Sequence, residues 1–445
     1  MSLREVSAPT VTLWCGVVYA GWTGGESVVA EQWDDEEGDA LVLDQCATVL
    51  DRLHERIAHR FGRVEVRARV RRYVAGLLER VDRKNGWQVA EAMGEGGPQG
   101  IQRLLTTAIW DADAVRDDLR RYVVEYLGDA ASGVLIVDES GFPKKGRHSC
   151  GVAPQYCGTL GRSANCQVGV FLGYASVKGM AFVDRALYLP KVWTADRERR
   201  AAAGVPPTLR FATKIVLAQN MLARAFAADV PASWVAADSL YGRGHRFRRW
   251  LEKQERAYVV GILPAQVVVY EGRRQRATAV AASLPAEAWV RRSAGEGSQG
   301  PRVHDWACVH LAEDGPVGMA RWLLIRRTLT VVPEQDYFRA YGPAETPEDT
   351  LVRVAGMRWA IEEGFGQAKG EVGLDHYEVR GWQAWQRQIT LCLLAHARDD
   401  GARGAPPHAR PGCRCGTAGL SAGLVPLAAG PPGGGQALPQ RAPCP

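Results

Sequence analysis

Residues 133–141 read Gly-Val-Leu-Ile-Val-Asp-Glu-Ser-Gly, and residues 234–242 read Trp-Val-Ala-Ala-Asp-Ser-Leu-Tyr-Gly. Each is a short apolar run with a β-branched bias that reaches an aspartate and then turn-forming residues. Such runs predict buried strands, Val134–Val137 and Trp234–Ala237, ending at Asp138 and Asp238. Gln167–Ala175 and Ala181–Leu189 predict two further strands. The stretch with Ile215, Ala218, Leu222 and Ala225 predicts a helix, and the basic stretch around Arg246, Arg248, Arg249 and Lys253 predicts another. Tyr258–Leu263 predicts a strand after it. Three strands, a helix, a strand, a helix and a strand make an α/β core, placed at residues 131–263. Open α/β sheets carry their sites at the carboxyl ends of strands, where both aspartates fall. Either aspartate taken alone is better read as a turn-former or helix cap.

Outward from this core the texture changes. Residues 40–130 repeat apolar positions at helical spacing, as in Leu50, Leu53 and Ile57, Val70, Tyr73 and Leu77, or Val115, Leu119 and Tyr122. Breaks fall at Asn85-Gly86 and Gly94–Pro98. A helical, DNA-binding domain is one reading, with Arg67, Arg69, Arg71 and Arg72 on its outside; a solvated face is the other. Residues 1–39 show no clear period and are expected to be loosely structured. Residues 264–345 alternate strand-like runs (Val267–Tyr270, Val303–His310, Trp322–Val332) with Gly/Ser/Pro turns, a β-rich insertion. Helical pattern returns over 346–397, with Thr346 as the expected cap and Pro347 at the first helical position, a break expected at Gly356 and a last helix over about Trp382–Ala397. Residues 398–445 hold ten Gly, nine Pro and nine Ala with no Lys, Glu or aromatic residue. That composition cannot offset ordering entropy and predicts disorder.

The chain of 445 residues carries 46% hydrophobic and 23% charged residues and a net charge of +6, an ordinary globular balance compatible with nucleic acid. No apolar run is long enough to span a membrane, and Val11–Ala20 lacks the flanks of an export signal. The ten cysteines show no zinc knuckle: the gaps in Cys150, Cys157 and Cys166 are too wide, and Cys413-x-Cys415 stands in the Gly/Pro tail. Free thiols in a reducing, cytoplasmic setting are expected.

The chemistry is concentrated on one predicted helix. From Arg358, Glu362 lies about 40° and Lys369 about 20° around the helix, so the three share a face, whereas Glu363 falls about 140° away. An exposed i,i+4 pair is the plain reading of Arg358 and Glu362. A strand ending in Asp, a later strand ending in Asp before Tyr-Gly, and Arg-x3-Glu-x6-Lys together resemble the DDE transposases of bacterial insertion sequences, in the branch marked by Tyr-x2-Arg-x3-Glu-x6-Lys. DESGFPKKGRHSCGV (138–152), QYCGTLGRSANCQVGVFLGYAS (155–176), LYLPKVWTAD (187–196) and EVGLDHYEVRGW (371–382) share that resemblance, which runs from about residue 40 to 397. The motif's tyrosine position holds Ala355, a departure from the pattern.

The resemblance implies an RNase H-like mixed sheet with a β-rich insertion before the glutamate. It implies Asp138, Asp238 and Glu362 as catalytic residues holding two Mg²⁺ ions, with Mn²⁺ as a substitute. Carboxylates suit such hard cations, which cut a phosphodiester with water and then join it through a freed 3′-hydroxyl. Arg358 and Lys369 are the implied phosphate partners; Lys144 and Lys145, beyond the first aspartate, are further candidates or a solvated turn. The implied partner is double-stranded DNA with terminal inverted repeats, held by a homodimer in a synaptic complex at the nucleoid. His376 is expected to be a structural hydrogen-bonder, and Trp306 and Trp322 to pack in the core. A reading-frame shift past Ala397 would explain the tail, so the alternative is an inactive remnant that keeps DNA binding at most.

Overall fold

The computed structural model describes residues 11–14, 17–20, 48–297, 300–312 and 315–403. The acidic stretch Glu31–Asp39, Cys413, Cys415 and residues 404–445, including most of the proposed disordered tail, lie outside them. Within the segment expected to be loosely structured, β1 (Val11–Trp14) and β2 (Val17–Ala20) pair antiparallel.

The expected helices come first along the chain. They are α1 (48–58), α2 (Val64–Gly76), α3 (Gly86–Ala92), α4 (Gln99–Thr106) and α5 (Ala112–Leu127). The Asn85-Gly86 break is a helix start, because the Asn85 side chain accepts from the amides of Trp87 and Gln88. Leu53, Ile57, Val70, Tyr73, Val115 and Leu119 are buried in one apolar cluster that continues into the sheet. The helices therefore have no core of their own. The arginines expected on their outer face are engaged locally: Arg69 and Arg72 with Glu95, Arg71 with Asp51, and Arg67 with the Phe61 carbonyl.

The sheet is built from β3 (Val134–Pro143), β4 (Ala153–Cys157), β5 (Arg162–Ser176) and β6 (Gly179–Leu187). Two short helices, α6 (Lys191–Thr194) and α7 (Arg197–Ala202), lead to α8 (Lys214–Ala227). Then come β7 (Trp234–Ala237), α9 (Ser239–Gly242), α10 (His245–Lys253) and β8 (Ala257–Ile262). β5 pairs antiparallel with β3 and β6, while β3, β7 and β8 run parallel. This is the RNase H-like mixed sheet that the sequence resemblance implies. Two details differ: β4 is a strand beyond the expected order, and β3 does not stop at Asp138. It continues to Pro143 because its other edge stays paired with β5 as far as Cys166, so only the parallel side of the strand ends at Val137.

After β8 come β9 (Val267–Tyr270), β10 (Arg273–Arg276), α11 (Ala277–Ser283), β11 (Val290–Gly297), β12 (Gly300–His310), β13 (Met319–Arg327) and β14 (Gln335–Pro343). β13 ends at Arg327, short of Val332, and β14 has no counterpart in the sequence reading. β14 is nevertheless the splice: it pairs with β8, so the insertion extends the main sheet in the order β11-β12-β13-β14-β8-β7-β3-β5-β4. Trp306 and Trp322 are buried, as core packing requires.

The closing helices are α12 (Glu348–Met357), α13 (Trp359–Val372) and α14 (Trp382–Arg403). The interruption falls at Arg358 and not at Gly356, and α14 passes Ala397. Ile389, Leu391, Leu393 and Leu394 on α14 are fully or almost fully buried. Arg387 on the same helix donates to the carbonyls of Thr106, Ala108 and Trp110, tying the N-terminal helices to the last one.

Two backbones meet closely beside Asp238. A Cβ on Gly242 would run into the Gly261 carbonyl, and one on Gly261 would lie 2.9 Å from the Ser239 nitrogen. Gly242→Ala is therefore expected to destabilise the chain by roughly 1–3 kcal/mol in urea melts, since backbone must shift to admit the methyl. An unchanged midpoint would mean that α9 does not rest on β8.

Candidate active site

Parallel pairing of β3 with β7 runs Val134↔Trp234 through Val137↔Ala237. Asp138 and Asp238 are the next residues on each strand, side by side at the end of the parallel pair. The Asp138 carboxylate accepts from the Glu139 amide at 2.7 Å. The Asp238 carboxylate accepts from the Leu240 amide at 2.9 Å and caps α9. Both the local reading of Asp238 as a cap and its place at a strand end therefore hold together.

Arg358 reaches this pair from the joint between α12 and α13. Its Nη1 lies 2.5 Å from Glu362 Oε1 and 3.8 Å from Asp138 Oδ2, so one guanidinium nitrogen neighbours both carboxylates. Glu362 is the outermost of the three acids, with 47% of its side chain exposed against 15% for Asp138.

The electrostatics follow from the crowding. Burial pushes the Asp138 carboxyl up to about 7, and the facing Asp238 charge adds to it; the Glu139 amide and Arg358 act the other way. Asp238 is raised by burial and then by Glu139, again with Leu240 and Arg358 opposing. Burial alone would lower the Arg358 guanidinium, but Glu362, Asp138 and Asp238 outweigh it and hold the cation.

Three further side chains belong to the site: Glu139, which is not among the expected catalytic acids, Tyr241, and Lys214, which the sequence does not single out. Glu139 accepts from Tyr241 Oη at 2.6 Å and from Lys214 Nζ at 2.8 Å. Burial, then the Glu139 charge, raises the Tyr241 phenol well above its usual range and keeps it a donor. Tyr241 is the tyrosine of the Asp-x-x-Tyr-Gly run, a usable signal. Lys214 offered none, since it lies at the start of α8 and meets Glu139 only through the fold.

The remaining candidates are dispersed. Lys369 Nζ donates to Thr159 Oγ1 at 3.0 Å, and Thr159 donates to the Gly141 carbonyl of β3 at 3.0 Å. Burial lowers the Lys369 ammonium against the opposing charge of Asp375. Lys144 turns inward: its Nζ donates to the Tyr377 carbonyl at 2.9 Å and lies 3.6 Å from the centre of the Tyr377 ring. Burial lowers it to about 8. Lys145 is exposed. His376 Nδ1 accepts from the Lys84 amide at 3.1 Å, a structural role. Cys150, Cys157 and Cys166 are buried free thiols.

The donor chemistry fits a hard divalent cation. Asp138, Asp238 and Glu362 offer only carboxylate oxygens, and two like charges share a buried corner that a cation would relieve. Among the described residues, no three acidic, His or Cys side chains form a ready cage, because the Glu362 carboxylate is drawn to Arg358 instead.

The chain matches the family model of DDE superfamily endonucleases over residues 56–286 and that of the transposase DDE domain over residues 213–398. A probable transposase for insertion sequence element IS701, from Microchaete diplosiphon, is 27% identical over 314 residues, which is 68% of this chain and 74% of that protein.

The folded chain retains the Asp138 proton to higher pH than the unfolded chain, whose carboxyl titrates near 3.8. Stability contributed here is thus lost as pH rises from about 4 to about 7. In metal-free buffer, Asp138→Asn is expected to raise stability by about 1–3 kcal/mol at pH 8 and by less at pH 5. Urea melts at the two pH values read this directly, and a larger gain at pH 5 would contradict the buried-pair geometry.

Proposed function

The chain belongs to the DDE superfamily of endonucleases, as a transposase of the insertion-sequence type, and from that premise we propose that it cuts and joins DNA at the ends of its element with Asp138, Asp238 and Glu362 as the catalytic acids. The observation that carries this reading is the register of β3 and β7 combined with the Arg358 contacts to Asp138 and Glu362.

Asp138, Asp238 and Glu362 would hold Mg²⁺, or Mn²⁺ in its place. Two such ions supply activation of the attacking oxygen and stabilisation of the leaving one. The protein's own groups do the rest. Asp138 and Asp238 are fixed by amide hydrogen bonds, so their oxygens are oriented before any substrate arrives. Glu362 leaves Arg358 to join them, which frees the guanidinium to take a phosphate oxygen of the bound strand. Lys369, at the outer end of the same helix, stands beside the exit of β3, where the flanking backbone would run. Lys145 suits a looser contact there, while Lys144 serves to pin the Tyr377 loop. Lys214 and Tyr241 hold Glu139 off the Asp238 carboxylate and keep a third acid from collapsing into the pair. The substrate on this reading is double-stranded DNA with terminal inverted repeats, bound by a homodimer.

Duplex DNA carrying the element's own ends should be cut with Mg²⁺ or Mn²⁺ and left intact in excess chelator. Glu362→Gln should abolish cutting while end binding persists. Glu363→Gln, matched in charge and volume, should retain most of the rate, because residue 363 does not share the Arg358 contact. The reverse order for the two glutamates would shift the assignment by one residue. End binding with neither cutting nor metal uptake would favour the inactive remnant.

A further inference from the structure

α12 and α13 are one helix interrupted at Arg358, the residue that links Asp138 to Glu362. Arg358 keeps helical dihedrals (φ −55°, ψ −32°), but a joint in the helical ladder makes the second segment more dependent on outside contacts. The body of α13 is held by the core, with Phe365 against Phe171 and Phe182 of β5 and β6, while the joint itself is gripped from the insertion sheet. Arg302 on β12 places its guanidinium 4.8 Å from the centre of the Trp359 ring. Its Nη2 donates to the Gly356 carbonyl at 3.1 Å and to the Ala294 carbonyl at 2.8 Å, and its Nε to the Glu296 carbonyl at 3.1 Å. One planar fork thus grips the last turn of α12, the first residue of α13 and strand β11 together. The close approach is built into the backbone: a Cβ on Gly356 would collide with the Ala294 carbonyl. Arg292 on β11 pairs with Glu348 and Asp349 at the start of α12, so β11 and β12 hold that helix at both ends.

We propose that Arg302 is a positioning residue for the reaction, setting through the α12–α13 joint where Arg358 and Glu362 stand relative to Asp138 and Asp238. The inference rests on the three-acid reading above. It also gives the insertion a task in the chemistry, since any movement of β11 and β12 would be passed to Glu362. A lysine at 302 would retain the charge but neither the fork nor the flat face that stacks on Trp359.

The test uses the full chain as wild type, R302Q, R302K, W359L, E362Q and the R302Q/E362Q pair. Hydrogen exchange of amides 357–363, Mn²⁺ titration by electron paramagnetic resonance and thermal melts are read on each. R302Q should speed exchange across 357–363 about tenfold with the β3 and β7 amides unchanged, and weaken Mn²⁺ binding by about 10–100-fold, as loss of a supporting contact behind a ligand does. R302K should recover little of either. W359L should shift both in the same direction by less, and carries the test if R302Q does not fold. R302Q added to E362Q should cost no further Mn²⁺ affinity, because the effect passes through Glu362. Unchanged exchange at 357–363, or fully additive losses in the double variant, would overturn the proposal. A wild-type chain that takes up no Mn²⁺ would instead sink the three-acid reading, and the exchange data would still decide whether Arg302 holds the joint.

Discussion

Two carboxylates that repel one another are placed side by side because two parallel strands end in register. Everything else at the site answers that constraint. The Val137↔Ala237 pair brings the β3 and β7 backbones to one edge, and the next residue on each strand is an aspartate. The sheet beneath them is apolar and leaves little solvent to spread the charge, so the cost appears as raised carboxyl pKa values. Arg358 relieves part of it, and the amides of Glu139 and Leu240 relieve more. A site that stores this repulsion in the free protein is one that a divalent cation would stabilise on binding.

The supporting structure can be read as a set of clamps on that corner. Gly242 and Gly261 let α9 lie directly on β8, which holds the turn after Asp238. A buried ionic network locks the outer layer: Asp184 on β6 meets Arg116 of α5 and Arg224 of α8, while Arg185 reaches Asp113 and Thr390 of α14. Such a network adds little net stability but penalises any other docking of α5 and α14, because a shifted arrangement would leave a charge buried alone. The insertion is a further clamp, since β14 joins it to β8 and β12 reaches across to the α12–α13 joint.

What each basic residue does depends on what it faces. Arg67, Arg69, Arg71 and Arg72 look like one nucleic-acid surface in the sequence, yet all four are engaged within the N-terminal helices. Lys144 and Lys145 are neighbours, yet one is folded onto Tyr377 and the other is exposed. Charge along a chain is visible in a sequence, but a cation's partner is a matter of packing. Ala355, where the motif of the family carries tyrosine, is buried against the apolar cluster, so whatever contact that tyrosine makes has no equivalent at this position.

The sequence by itself determined the principal strands and helices of the core and their order, the apolar stripes of the N-terminal helices, the place of both aspartates at strand ends and the i,i+4 spacing of Arg358 and Glu362. These are local properties: a β-branched run, a period of 3.6 and a motif spacing are written in consecutive residues. Only the tertiary structure decided that β3 runs on past Asp138, because the pairing that prolongs it comes from β5. Only the structure decided that β14 splices the insertion into the main sheet, that Lys214 and Tyr241 meet Glu139, and that Arg302 reaches Gly356 and Trp359 from another layer. Each of those is a contact between residues far apart in the chain, set by sheet register and helix packing, and no local pattern of either partner specifies the other.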